Sequence, residues 1–378
     1  GADGPSDSVT DLAIRLQQTW GPVMAKGIED TTFYRWHRLV ALNEVGSDPG
    51  VLADASPTLM HEWAAHAQAH WPLTMTTLST HDTKRSEDVR ARLVSMTEDP
   101  AGWAEWVARA RDLGAAYRGE GLDAPTEYLV WQTLVGAWPI DAPRMHDYLR
   151  KAVRESGRHS TWIDVDEEYE SQVAAFVDGL LDDDAVRDHV RSWVDAHAEG
   201  TRAVILGQKL LQLIGPGVPD VYQGTEIVSL TLVDPDNRRD VDHDAIGARL
   251  ERLDRGAGPA DLDDEKLRLA AAALRLRRAH PDWFVGPDAI TVHPTCDGGH
   301  AVALARGAHD RVEVVALVRR LTTALAADGG SADAAVELPE GGWTDVLRPG
   351  VTHAGGRVPL ARVLADGPVA LLVREAAP

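Results

Sequence analysis

The residues Ser79-Thr80-His81-Asp82-Thr83-Lys84-Arg85 close a Thr-rich strand expected over 73–78. A polar cluster at the C-terminal end of a strand is where barrel enzymes hold catalytic side chains. The plainer reading is a helix N-cap at Asp82 or Ser86 with flanking charges, and a lone His-Asp pair does not decide between the two. A second cluster, Met24-Ala25-Lys26-Gly27-Ile28-Glu29-Asp30-Thr31-Thr32-Phe33-Tyr34-Arg35, sets a lysine beside two carboxylates and an aromatic pair. It reads either as a sugar-contacting loop or as a turn leading into a capped helix over 32–39. Two further polar segments, Gly217–Glu226 and Leu232–Arg239, read as a strand running into a loop and as a turn-rich loop. His66 and His70 have a spacing that can chelate a metal on one helix face, but no third ligand suggests itself, so surface histidines are expected. Asp182-Asp183-Asp184 lacks the alternating ligands of a calcium loop. No Walker loop, Gly-x-Gly-x-x-Gly or Gly-x-Ser-x-Gly motif is present, and no cofactor or metal is expected.

The elements that must position these residues follow from periodicity. Apolar spacing predicts a helix over 9–18, and Ser56-Pro57 opens another that runs to 71. From 86 to about 200 the pattern is almost wholly helical, with Trp103, Trp106, Val107, Ala110 and Leu113 keeping one face. An apolar helix over 201–214 ends at Gly215-Pro216-Gly217, a buried strand follows over 218–222, and an amphipathic helix covers 266–280. After Trp283 short alternating segments appear at 301–305, 312–318, 335–338, 343–347 and 369–373, as in a small antiparallel sandwich.

The chain has 378 residues, 44% hydrophobic and 26% charged, enough for two or three folded domains. Lys plus Arg total 38 against 59 Asp plus Glu, a formal charge of −21, which repels phosphate backbones and anionic membranes. Nucleic acid and membrane partners are not expected. One cysteine, Cys296, excludes an intrachain disulfide and fits a reducing, cytoplasmic location. Only Lys26, Lys84, Lys151, Lys209 and Lys266 are lysines, so one inside a polar motif stands out. Trp outnumbers Phe by 12 to 3; indoles serve as sugar platforms, but core filling is the first expectation.

Taken in order, these segments resemble the α-amylase superfamily, glycoside hydrolase family 13. Ser79–Asp82 resembles its motif at the end of barrel strand seven, Gly217–Glu226 the motif around strand eight, and Leu274–Pro281 the last barrel helix. Gly21–Thr31, Leu42–Gly46, Ser79–Arg92 and Leu232–Arg239 narrow the resemblance to the maltooligosyltrehalose synthases, over residues 17–378. The resemblance implies an α/β chain: the C-terminal portion of a (β/α)8 TIM barrel with a large helical insertion, plus a C-terminal antiparallel β-sandwich. The expected segments are 1–85 (barrel portion), 86–200 (helical insertion), 201–284 (last barrel strand and helix) and 285–378 (sandwich).

The implied reaction is an intramolecular transglycosylation that turns the reducing-end α-1,4 bond of a maltooligosaccharide into an α,α-1,1 bond. Asp82 would be the carboxylate that stabilises the oxocarbenium-like transition state, and His81 would hydrogen-bond the same ring. Lys84, Lys26 and Tyr34 would hold the released glucose, with Phe33 stacking on or shielding it. Retaining chemistry also needs a nucleophile and an acid/base, roughly 5–5.5 Å apart. In the family these lie upstream of every motif found here, so the chain reads as a C-terminal half, inactive alone, whose partner is the N-terminal half of the same enzyme. The alternatives are a non-catalytic α-glucan-binding or assembly module, and the related trehalohydrolase.

Overall fold

The computed structural model describes residues 7–50, 56–327 and 334–375, which divide into two compact units that do not follow chain order. One takes residues 7–50 and 104–193, the other 56–103 and 194–375.

The first unit is helical. Helix Asp7–Val23 passes into a π-turn over Met24–Glu29, closed by Asp30 N donating to Ala25 O at 2.8 Å. Further helices span Ala124–Ala137, Ala142–Ser156 and Glu167–Asp182. Each opens on an aspartate whose carboxylate accepts a backbone N–H three residues on: Asp123 from Thr126, Asp141 from Arg144 and Asp166 from Tyr169. Gly157 ends the second of them in the left-handed conformation (φ 58°) that a side chain would disfavour. Their apolar faces meet at Trp131, Met145, Leu149, Phe176 and Leu180, all buried. Trp131 packs edge-on against Phe176 (6.0 Å, 85°) and Trp106 (6.1 Å, 86°).

The second unit begins with helix Thr58–His70 and holds two sheets. Ser56 Oγ accepts from Thr58 N at 3.2 Å, and the helix starts one residue later than Pro57, the expected first position. In the smaller sheet β1 (Met75–Thr77) pairs in parallel with β2 (Val218–Asp220), Thr76 opposite Pro219. Helices Glu87–Ser95, Ala198–Ile214 and Leu262–Ala279 complete the part that carries the motif loops.

The larger sheet comprises β3 (Ala289–Val292), β4 (Ala301–Ala308), β5 (Arg311–Arg319), β6 (Ala335–Asp345), β7 (Thr352–Pro359) and β8 (Val369–Arg374). It is antiparallel, with order β3-β4-β5-β8-β6-β7. One face, with Val302, Val314, Ala316 and Leu371, packs on Leu206, Leu210, Leu213, Leu269 and Ala273 of two helices. The other, with Val315, Leu317, Val336, Trp343 and Leu372, closes on itself around Leu360 and Val363. Cys296 bridges Val336, and Glu337 N donates to Thr295 O at 3.0 Å, so the strand order curls back on its own beginning.

The expected sandwich is therefore one hydrogen-bonded sheet whose curl makes the layers. The segments expected at 335–338 and 343–347 are a single strand with an irregularity between Leu338 and Gly342. Strands β3 and β7 were not expected; the Gly355-Gly356 pair inside β7 hides its alternation.

Candidate functional site

In the second unit both motif loops leave the C-terminal ends of paired parallel strands, one after β1 and one after β2. Residues 80–83 form a tight turn: Thr80 Oγ1 accepts from Asp82 N (3.1 Å) and Thr83 N (3.0 Å), and Thr83 Oγ1 donates to Thr80 O (2.9 Å). The turn leaves His81 and Asp82 exposed at its tip. Its backbone is clamped from the second loop, where buried Asn237 donates its Nδ2 to Thr80 O (3.1 Å) and His81 O (2.9 Å). Asn237 is itself placed by Tyr222, whose hydroxyl donates to Asn237 O at 3.1 Å. Arg85 bridges Leu232, Ser86 N donates to Thr231 O at 2.9 Å, and Arg90 braces the turn's exit through Arg85 O (2.8 Å) and its entrance through Leu78 O. Ser86 caps helix Glu87–Ser95 through Val89 N, so the plain capping reading holds at Ser86, and His81-Asp82 lies free of that duty.

The structure thus brings together Ser79–Arg85 and Leu232–Arg239, two segments that are distant in sequence. It places the sugar-contact candidates unevenly. Lys84 is 1% exposed and sits inside the unit. Lys26, Phe33 and Tyr34 belong to the other unit. There Lys26 is exposed on the π-turn and pairs with Asp30, while Thr31 and Thr32 donate side-chain hydroxyls to Lys26 O and Gly27 O, both at 2.8 Å. Phe33 and Tyr34 are 3% exposed on a short 3-10 turn, where a capped helix over 32–39 was the other option. Asn43 Nδ2 donates to Phe33 O at 2.8 Å, and His37 bridges Tyr34 O and Pro125 O (3.0 and 2.9 Å), which fixes the turn on helix Ala124–Ala137. Breaks of the π type often accompany functional sites because they re-aim the side chains around them.

Sequence reasoning missed what lies directly beneath the first turn. Glu87, Asp88, Lys209 and Lys266 form a fully buried charge cluster. Lys209 Nζ and Lys266 Nζ lie 2.7 and 2.9 Å from Glu87 Oε1, and Lys266 Nζ lies 2.7 Å from Asp88 Oδ2. Burial pushes the Glu87 carboxyl up, but the ammonium groups of Lys266 and Lys209 outweigh it and hold Glu87 below the usual carboxylate range. Burial likewise lowers Lys266, and Asp88 and Glu87 reverse this, so its ammonium titrates above the usual value. The available signal was the rarity of lysine, and for Lys209 its apolar helical surroundings, Ala203–Ile214; Lys266 follows three carboxylates within four residues and carried no such mark.

His66 and His70 are exposed and stacked on each other at 4.2 Å. Among the described residues no group of three or more His, Cys, Asp or Glu side chains could hold a metal ion, and no helix is long and apolar enough to cross a membrane.

No protein-family model matches the chain. A curated protein of Mycobacterium tuberculosis described as a putative maltooligosyl trehalose synthase is 40% identical over 376 residues, covering 96% of this chain and 46% of the relative. The solved structure of maltooligosyltrehalose synthase from Arthrobacter ramosus superimposes with a TM-score of 0.87 at 40% identity, over 96% of this chain and 46% of that one. The hypothetical maltooligosyl trehalose synthase of Sulfolobus tokodaii gives 0.77 at 27% identity, over 95% and 46%. The α/β fold, with its helical part and antiparallel sheet, is the one these structures share. The chain is a homologue of maltooligosyltrehalose synthases and spans about half the length of the curated relatives it matches.

Proposed function

We propose that this chain is the C-terminal half of a maltooligosyltrehalose synthase and supplies half of its active site. On this reading β1 and β2 are the last two strands of a (β/α)8 barrel, and the C-terminal sheet is the domain that follows it. The observation that carries the reading is the exposed His81-Asp82 tip beyond β1, held by Asn237 of the second motif loop. Asp82 there faces the developing charge of the cleaved sugar, where a fixed carboxylate stabilises an oxocarbenium-like transition state without forming a bond. His81 hydrogen-bonds the same ring. The resemblance also assigns Lys26, Lys84, Tyr34 and Phe33 to the released glucose, whose own anomeric hydroxyl attacks; of these Lys26 is exposed and Lys84, Phe33 and Tyr34 are buried. Excluding water at that moment is what separates the mutase from a hydrolase.

On this reading the nucleophile and the acid/base belong to the N-terminal half of the same enzyme, in the cytoplasm. Two features support such a partner. Parallel strands are ordinarily buried on both faces, yet β1 and β2 form a sheet of two with Met75 72% exposed. Helix Asp7–Val23 also carries Val9, Leu12, Leu16 and Trp20 exposed.

The test is incubation with maltopentaose, alone and with the N-terminal half. The mixture is expected to give a non-reducing sugar of unchanged mass, and the chain alone none. Asp82→Asn in the mixture is expected to remove product formation. Saccharide binding without turnover in the mixture would favour the glucan-binding module, and hydrolysed sugar the trehalohydrolase.

A further inference from the structure

Glu87 and Asp88 are consecutive, yet each holds a different motif loop. Glu87 Oε2 accepts from Ser79 Oγ at 3.1 Å, and Ser79 Oγ in turn accepts from Glu87 N at 2.9 Å, a reciprocal pair at the root of the turn that carries His81 and Asp82. Asp88 Oδ2 accepts from Ser229 N at 2.7 Å, and Lys266, its ion-pair partner, donates to Ile227 O at 3.1 Å. Both contacts fall in the stretch between Tyr222 and Asn237. The base of the cluster is equally tied down: Lys209 Nζ donates to Gln212 Oε1 (3.2 Å), and Gln212 Nε2 to Asp220 O (2.7 Å) at the end of β2. Gln208 Nε2 donates to Glu87 O at 3.0 Å. Each loop therefore ends on one carboxylate of the buried cluster.

We propose that the Glu87–Asp88–Lys209–Lys266 cluster is a two-loop clamp whose members are positioning residues: through Ser79 it sets the turn bearing His81 and Asp82 against the loop bearing Asn237. The inference rests on the functional reading given above and adds to it the device that orients Asp82. An apolar core of the same volume would pack these helices. It would not fix two polar loops in register, because only directional bonds do that. Catalysis is sensitive to such placement, since a displacement of about 1 Å at a reacting centre costs on the order of a hundredfold in rate.

The experiment removes the link and leaves the charges. Ser79→Ala deletes one hydroxyl and keeps all four ions, and Ser79→Thr restores the hydroxyl. Hydrogen–deuterium exchange of the chain is read at residues 80–85 and, as control, in helix Ala198–Ile214. Ser79→Ala is expected to speed exchange in the turn about tenfold or more and leave the control helix unchanged, with Ser79→Thr close to wild type. In the mixture with the N-terminal half, Ser79→Ala is expected to lower kcat about tenfold or more with KM within about twofold, and Ser79→Thr to recover it. Unchanged exchange in Ser79→Ala overturns the clamp, and so does faster exchange with unchanged kcat. If the wild-type mixture forms no product, the functional reading fails, and the clamp stands or falls on the exchange result.

Discussion

The two units pack helices with opposite materials. Helices Ala124–Ala137, Ala142–Ser156 and Glu167–Asp182 meet over Trp131, Met145, Leu149, Phe176 and Leu180. Their ion pairs are mostly peripheral, as with Arg150–Asp147, which is largely open to water, while Glu127 is buried and reaches out to the partly exposed Arg118 at 2.7 Å. Helices Glu87–Ser95, Ala198–Ile214 and Leu262–Ala279 instead enclose four charges with no exposed surface. Desolvating four ions is expensive, and their mutual attraction returns that only when every partner is in place. The apolar unit needs a stable body. The charged one needs two loops held at a fixed distance, and it gives up some stability for that direction.

The comparison breaks first if one charge can be removed cheaply. Lys266→Met takes the ammonium from Asp88 and leaves Glu87 with one, so unfolding free energy is expected to fall by about 3–5 kcal/mol in urea titration. Adding Asp88→Leu should recover at least half of it, since both ends of that pair are then apolar. A loss below about 1 kcal/mol for the single variant would mean the cluster is not tightly coupled. In the apolar unit Phe176→Ala is expected to lose about 3 kcal/mol, from lost transfer energy plus the cavity beside Trp131. No second substitution should rescue it. Recovery by a neighbouring charge change would erase the distinction between the two cores.

These two cores differ in how far the sequence exposed them. The spacing that buries Met145 and Leu149 on one helix face is a local property, so the helices between 86 and 200 were legible. The turn at Ser79–Arg85 was legible as chemistry because its residue types are polar and close together. Asn237 and the Lys209–Lys266 pair were not, because each finds its partners across some 120 to 180 residues and no period marks that meeting. Strand β7 escaped for another reason: glycines at 355 and 356 remove the side-chain alternation on which a strand is recognised, while its pairing with β6 supplies the order. The curl of the sheet, through Cys296 and Val336, is likewise a long-range closure.

A smaller effect tests the second unit away from its charge cluster. His61 and His293 stack at 4.0 Å, and burial, reinforced by His61, pushes His293 down to about 4. In the unfolded chain His293 titrates near 6.5, so between about pH 4 and 6.5 the unfolded state binds more protons than the folded one. The stabilisation is complete above that window and fades as pH falls through it. We expect a loss of about 1–2 kcal/mol between pH 7 and 4.5, after allowing for partial solvent screening. His293→Gln should flatten that part of the slope, while His61 and His353, both also lowered by burial, keep their own. An unchanged slope would show that the stack opens to water.

The smallest effect is expected where geometry looks best on paper and solvent is nearest. Arg255 Nη2 lies 2.7 Å from Glu251 Oε2, as close as Lys209 to Glu87, but both side chains are at least 70% exposed. At equal distance the attraction between the exposed pair is screened by water and salt, and ordering two long side chains consumes most of what is left. Glu251→Ala should therefore leave Tm within about a degree of wild type, and added salt should not change that difference. A shift of several degrees would mean that distance alone ranks these pairs, and the contrast between buried and exposed charge would lose its basis.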